Sequence, residues 1–133
     1  MEALRFPRAA RLLAPGDFLE LRRSGKRLPC RFFHIEYRPT EFATARLGLA
    51  VSRRVSKRAV VRNKIKRQVR ESFRLSRADL PAIDILVIAR TTAAQQSLED
   101  LRADLAILWR KLTALNTAAL NRNPAAGTMR ADS

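Results

Sequence analysis

The chain has 133 residues, with 27 Lys and Arg against 12 Asp and Glu, a net charge of +15, and 47 % apolar residues. That length supports one compact domain rather than two, and the apolar fraction excludes a wholly disordered basic tail. So much positive charge on a small body repels itself and selects a polyanion as partner.

The longest uncharged stretch, Leu112 to Asn121, is ten residues, against the roughly 20 that a transmembrane helix requires, so no membrane partner is expected. Four glycines leave no Gly-rich phosphate loop. A single Cys30 and a single His34 exclude an internal disulfide and a Cys/His zinc site. A free thiol fits a reducing cytoplasm, and Cys30 reads as a small buried residue at a strand start.

Arg5, Arg8 and Arg11, with only Glu2 against them, form a basic arm leading into the first helix. Pro7 and Pro15 interrupt any apolar core of a secretory signal. Pro15-Gly16-Asp17 opens that helix with Asp17 as expected N-cap; Phe18, Leu19 and Leu21 give it an apolar face, and Gly25 ends it. Residues 31 to 37 alternate as a strand, with Phe33, Ile35 and Tyr37 on one face and Phe32, His34 and Glu36 on the other. His34 there reads as structural or as a modest contact. Arg46 to Ser52 is a second strand, with Leu47, Leu49 and Val51 opposite the small residues Gly48, Ala50 and Ser52. That small face invites close approach by a helix or by a ligand backbone.

From about Lys57 to Leu75 the period becomes helical. Val61, Ile65, Val69 and Phe73 form an apolar stripe, and Arg58, Arg62, Lys66, Arg70 and Arg74 form a charged stripe beside it. Ile83 to Ala89 reads as an interior strand interrupted by Asp84. Ser97 caps a last helix, with Asp100 approximating a capping box and Leu98, Leu101, Leu105, Leu108, Trp109 and Leu112 as its buried stripe. Residues 1–115 are expected to form the domain and 116–133 a disordered tail.

The charge is concentrated. Residues 53–77 hold eleven Lys and Arg and one acid, Glu71, whereas residues 78–118 hold four and five. Like charges four apart on a helix cost about 0.2–0.5 kcal/mol each, and Lys57 and Arg58 oppose the macrodipole at the helix start; Glu71, four residues after Arg67, is expected to relieve a little of this. An external polyanion offsets such costs, and phosphates do so best, since they pair with the cations and accept from free N–H groups. Arg outnumbers Lys, which favours bidentate phosphate contacts and stacking on bases. Asp17, Glu20, Glu36, Asp79 and Asp84 show no clustered metal-ligand spacing and read as caps and solvated charges, which argues against a nuclease working through its own metal ions.

The run Arg62-Asn63-Lys64-Ile65-Lys66-Arg67-Gln68-Val69-Arg70-Glu71-Ser72-Phe73-Arg74 closely resembles the signature helix of the bacterial ribonuclease P protein family, called the RNR motif. Phe6-Pro7-Arg8, Arg11-Leu12-Leu13 and Asp17-Phe18 resemble the family's N-terminal segment and first helix. Leu47 to Arg54 resembles its second strand and the basic turn after it, and Leu80-Pro81 with Asp84 to Arg90 its last strand. The resemblance spans about residues 4 to 113.

It implies a small two-layer α/β sandwich in αβββαβα order, with a left-handed β-α-β crossover and kinship to a ribosomal protein domain. It further implies a non-catalytic subunit of a ribonucleoprotein that removes the 5′ leader of precursor tRNA. There the RNA subunit performs the hydrolysis, with Mg²⁺ held mainly by RNA and none bound stably by the protein, and no protein partner is required. Carried onto this chain, Arg62, Asn63, Lys64, Lys66, Arg67 and Arg70, with Arg58 and Arg74 of the same surface, would contact the RNA subunit. Phe18, Arg22, Phe32, His34, Ser52, Arg53 and Arg90 would line or rim a cleft for the single-stranded leader, with core packing as the alternative for Phe18. Two positions depart from the family pattern. Lys64 stands where Arg is usual, and Arg22 stands where many members place a second cleft aromatic, replacing stacking there with a phosphate contact. The competing reading is a ribosomal or chaperone-type RNA-binding protein with no part in cleavage.

Overall fold

A computed structural model describes residues 15–40 and 44–115, apart from the side chains of Pro15, Asp17 and Ser24. The expected N-terminal arm, the family-like blocks Phe6-Pro7-Arg8 and Arg11-Leu12-Leu13, and the expected tail lie outside the described residues. The elements run α1 (Pro15–Ser24), β1 (Lys26–Pro29), β2 (Phe33–Pro39), β3 (Arg46–Ala50), α2 (Ala59–Ser76), β4 (Ile83–Ala89) and α3 (Leu98–Ala114), with short 3-10 turns at Arg77–Asp79 and Thr91–Gln95.

The sheet order is β1-β2-β4-β3; β1 and β4 pair antiparallel to β2, and β3 pairs parallel to β4. Parallel neighbours need a crossover, and α2 supplies it between β3 and β4. This is the αβββαβα order.

Alternation along each strand separates two faces. Phe33, Ile35, Tyr37, Leu47, Ile83, Ile85, Val87 and Ala89 form the main core with Ile65, Val69 and Phe73 of α2 and Leu101, Leu105, Leu108, Trp109 and Leu112 of α3. The Phe73 and Trp109 rings meet at 5.7 Å and 58°, a tilted geometry that aromatic pairs favour, and the Trp109 indole N–H donates to Ser72 Oγ at 2.6 Å. The apolar stripes expected of both helices are therefore the faces they bury. Ser97 caps α3 by accepting from the Asp100 N–H at 3.0 Å.

On the opposite face α1 packs across β2 and β4. Leu21 sits on Leu86, with Phe18, Ala50 and Ile88 around them. The helix starts at Pro15, two residues before the expected cap Asp17, because proline suits the first helical position. It ends where expected. The Gly25 N–H donates to Leu21 O at 2.8 Å, and a Cβ at residue 25 would lie 2.5 Å from Leu21 O and 3.1 Å from Tyr37 O. Both contacts are backbone and cannot rotate away, so Gly25→Ala is expected to cost about 1–3 kcal/mol, read as a lower midpoint in denaturant followed by Trp109 fluorescence.

Three further sequence expectations are corrected. Phe32 does not share the His34 face: the chain bends at Arg31-Phe32 before β2 begins, so the alternation does not extend to it, and its ring joins the main core. The Arg31 and Phe32 N–H groups donate to the Asp104 carboxylate of α3 at 3.1 and 2.9 Å, which pins the β1–β2 turn to that helix. Glu36 and Asp84 are not solvated charges but fully buried. Asp84 accepts from Arg46 Nε and Nη2 at 2.8 and 2.9 Å and from Arg38 at 3.5 Å. Glu71 pairs with Arg74 rather than with Arg67, the i,i+3 neighbour being within reach on a helix surface; that hydrogen bond holds the Glu71 carboxyl below its ordinary pKa.

Candidate nucleic-acid interface

The helix α2 buries Ile65, Val69 and Phe73 and turns its cations outward. Arg58, Asn63, Lys64, Arg67 and Arg70 are exposed, and Arg62 and Lys66 are half-buried at the edge of the stripe. Among the described residues, Arg53, Arg54, Lys57, Arg58, Arg62, Lys64, Lys66, Arg67 and Arg70 make no ion pair with a carboxylate. Arg74 differs, being tied to Glu71.

The start of α2 is shaped by two serines. Ser52 Oγ accepts from the Arg54 N–H at 3.2 Å, and Ser56 Oγ from the Arg58 N–H at 3.1 Å. Buried Val55 anchors the turn between them, and Arg62 Nη1 donates back to Ser56 O at 2.9 Å. No acidic residue stands in the first turn and no side chain caps it. Positive side chains and the positive end of the helix thus face the same solvent, a field suited to phosphate groups.

The second surface lies between α1 and the sheet. The register sets three rows across the strands: His34, Ile88 and Ala50; Glu36, Leu86 and Gly48; Arg38, Asp84 and Arg46. Half-buried Phe18 of α1 packs against the Leu21–Leu86 cluster, which Ala50 and Ile88 of the first row also join. On the small face of β3, Ala50 joins the cluster under α1, Gly48 is buried and Ser52 is exposed. Ser52 and Arg90 follow Ala50 and Ile88 by two residues in parallel strands, so both leave the sheet at the same edge. Ser52, Arg53 and Arg90 are exposed there, with Arg90 Nε held by Cys30 O at 2.9 Å. Burial holds His34 below its ordinary pKa, so it is neutral at pH 7 and offers a ring and a hydrogen bond rather than a charge. Cys30 is a half-buried free thiol in the turn after β1, and burial raises its pKa, which disfavours the thiolate.

Of the residues expected to form a cleft, Phe18 lies under α1 on the Leu21–Leu86 cluster, His34 stands in the first row of the same sheet face, Ser52, Arg53 and Arg90 are exposed where β3 and β4 end, and Arg22 is exposed on α1. Phe32 does not join them. Sequence reasoning missed Arg27 of β1, which shares the Glu36 carboxylate with Arg22; four residues as polar as Lys26–Pro29 gave no strand signal to place it. Among the described residues no group of three or more His, Cys, Asp or Glu stands close enough to hold a metal ion, and no helix is long and apolar enough to cross a membrane. Buried Asp84 and Asp104 are hydrogen-bonded by guanidinium and backbone N–H groups, whereas buried Glu36 has, among the described residues, only the longer contacts to Arg22, Arg27 and His34.

A helix that turns a row of cations without carboxylate partners among the described residues to solvent, on an α+β scaffold, is a surface suited to a polyanion. A family model described as Ribonuclease P matches residues 6–113. The chain is 41 % identical over 116 residues to the ribonuclease P protein component of Photobacterium profundum, covering 87 % of this chain and 98 % of that one. It is 43 % identical over 108 residues to that of Aliivibrio fischeri, covering 81 % and 92 %. Among solved structures, the Staphylococcus aureus RNase P protein superposes with a TM-score of 0.76 at 31 % identity, over 82 % of this chain and all of that one (100 %). The Thermotoga maritima RNase P protein gives 0.69 at 33 % identity, over 76 % and 96 %. This chain belongs to the ribonuclease P protein component family.

Proposed function

We propose that this protein is the RNA-binding subunit of a cytoplasmic ribonuclease P. It binds the catalytic RNA through α2 and the 5′ leader of precursor tRNA in the cleft under α1, and so assists endonucleolytic release of the leader. The observation that carries the reading is the face of α2 opposite Ile65, Val69 and Phe73, where the cations from Arg58 to Arg70 stand without carboxylate partners among the described residues. The RNA performs the hydrolysis, with Mg²⁺ held mainly by RNA; the protein's buried carboxylates fit structural roles instead. No further protein partner is needed. In the cleft, Phe18 stacks on a leader base, a contact worth about 1–3 kcal/mol, His34 lines the floor, and Arg22, Ser52, Arg53 and Arg90 meet the backbone.

The test is a cleavage assay at low Mg²⁺. Precursor tRNA is mixed with a bacterial ribonuclease P RNA alone, with this protein, and with Arg67→Ala. Protein-dependent leader release that the substitution weakens is the expected result. Folded protein that stimulates none of several RNA subunits would leave a general RNA binder of the ribosomal or chaperone type.

A further inference from the structure

The Glu36 carboxylate lies under α1 with 2 % of its side chain exposed, and its Oε1 has no hydrogen-bond partner. Arg22 Nε stands 3.9 Å from Oε1, Arg27 Nε 3.5 Å from Oε2, and His34 Nε2 3.8 Å from Oε2. The two arginines come from different elements, α1 and β1, yet each is nearest the same carboxylate through Nε. A guanidinium has five donors in a planar fork, so this orientation leaves the Nη groups of both forks available. Their side chains are 53 % and 69 % exposed.

A carboxylate buried without full hydrogen bonding is costly. Its effect here is to draw two exposed guanidiniums, from α1 and β1, to one point on the α1 side of the sheet, and arginine forks pair bidentately with phosphate oxygens. His34 is neutral at pH 7 by the shift already described, so the cluster sums to one negative and two positive charges.

We propose that Arg22 and Arg27, positioned by Glu36, form a phosphodiester-binding subsite that extends the leader track beyond Phe18 and His34 to the β1 edge of the sheet. The inference rests on the leader-binding reading of the cleft. Arg27 becomes a direct contact and Glu36 a positioning residue, and the leader is read by one stacked base followed by a clamped phosphate.

The holoenzyme tests this with precursor tRNAs of increasing leader length and with leaders carrying single neutral methylphosphonates. Arg22→Ala and Arg27→Ala are each expected to weaken binding of long-leader substrate about three- to tenfold, the range for an exposed charge-assisted contact. They leave leaderless substrate and affinity for the RNA subunit unchanged. One methylphosphonate position abolishes the difference between wild type and variants. Glu36→Gln separates positioning from bulk charge. It raises the positive charge by one, so a purely electrostatic role predicts tighter leader binding, whereas loss of positioning predicts weaker binding and no selectivity for the sensitive phosphate. Exposed Arg27 provides the readout should Glu36→Gln fail to fold. Equal effects on substrates with and without leader, a loss of RNA-subunit affinity, or tighter binding by Glu36→Gln would overturn the proposal. Phe18→Ala is the control for the parent reading: if it too leaves leader dependence unchanged, the cleft itself is not the leader site.

Discussion

Replacing Arg58, Lys64, Arg67 and Arg70 together by alanine is expected to weaken binding to the RNA subunit about 10³-fold at 0.15 M salt, extrapolating the counterion-release slope for four contacts from 1 M. The same variant is expected to melt higher than the wild type. The two effects share one cause. All four side chains are exposed and make no ion pair with a carboxylate among the described residues, so none of them supports the fold through a partner. They crowd one another and their neighbours at three- and four-residue spacings, each such pair costing about 0.2–0.5 kcal/mol. Removing several pairs while adding three good helix formers inside α2, Arg58 being its N-cap, amounts to roughly 1–2 kcal/mol, or a few degrees in melting temperature for a domain of this size.

The slope of log affinity against log salt is expected to fall by about three to four units, close to one per cation removed. Filter binding across a salt series and thermal melting of the free protein read the two quantities separately. A lower melting temperature would mean that the cations hold α2 in place. An unchanged salt slope would move the RNA interface off this helix.

That separation of faces was largely legible in the sequence. The four-residue spacing of Val61, Ile65, Val69 and Phe73 set the inward face of α2, and the helix begins and ends within two residues of expectation, at Ala59 and Ser76. The β4 strand runs from Ile83 to Ala89 as its apolar run predicts. Burial on both faces writes such a run. What escaped the sequence lacks a periodic signature. The β1 strand is Lys-Arg-Leu-Pro, a polar edge strand that exists only by pairing with β2. Phe32 follows the alternation on paper, but the turn that Asp104 clamps carries its ring into the other layer.

Glu36, Asp84 and Asp104 look like ordinary acids in a sequence read for metal or catalytic spacing. A stricter signal was available for two of them. An acid at an interior position of a strand whose neighbours are apolar must find a buried cation or surface on an edge, and Arg38 and Arg46 were there to be paired. Which cation each acid meets depends on strand order and register, which no local pattern encodes. The cleft depends on the same information. His34 and Ala50 are far apart in sequence and fall in one row of the sheet only because β4 pairs with both β2 and β3.

Asp84→Ala is expected to cost about 3 kcal/mol in stability, or on the order of 10 °C in melting temperature for this chain length. The carboxylate has 2 % of its side chain exposed and receives both Nε and Nη2 of Arg46, itself 12 % exposed, as well as Arg38. Deleting it leaves a poorly hydrated guanidinium facing a cavity, and an uncompensated charge of this kind accounts for most of the penalty. The row Arg38–Asp84–Arg46 also ties β2, β4 and β3 in one register. A one-residue slip of β4 would turn Asp84 into the apolar layer, so the pair disfavours that alternative. The double variant Asp84→Leu with Arg46→Met removes both charges and is expected to recover much of the loss. A double-mutant cycle by chemical denaturation, followed through Trp109, measures the coupling. Asp84 lies two rows along the sheet from His34, Ile88 and Ala50. Both variants should therefore support leader cleavage at wild-type rates below their melting temperatures. A cleavage defect in the folded double variant would show that the polar row reaches the RNA site, whereas a single-variant cost under about 1 kcal/mol would place the pair with ordinary surface ion pairs.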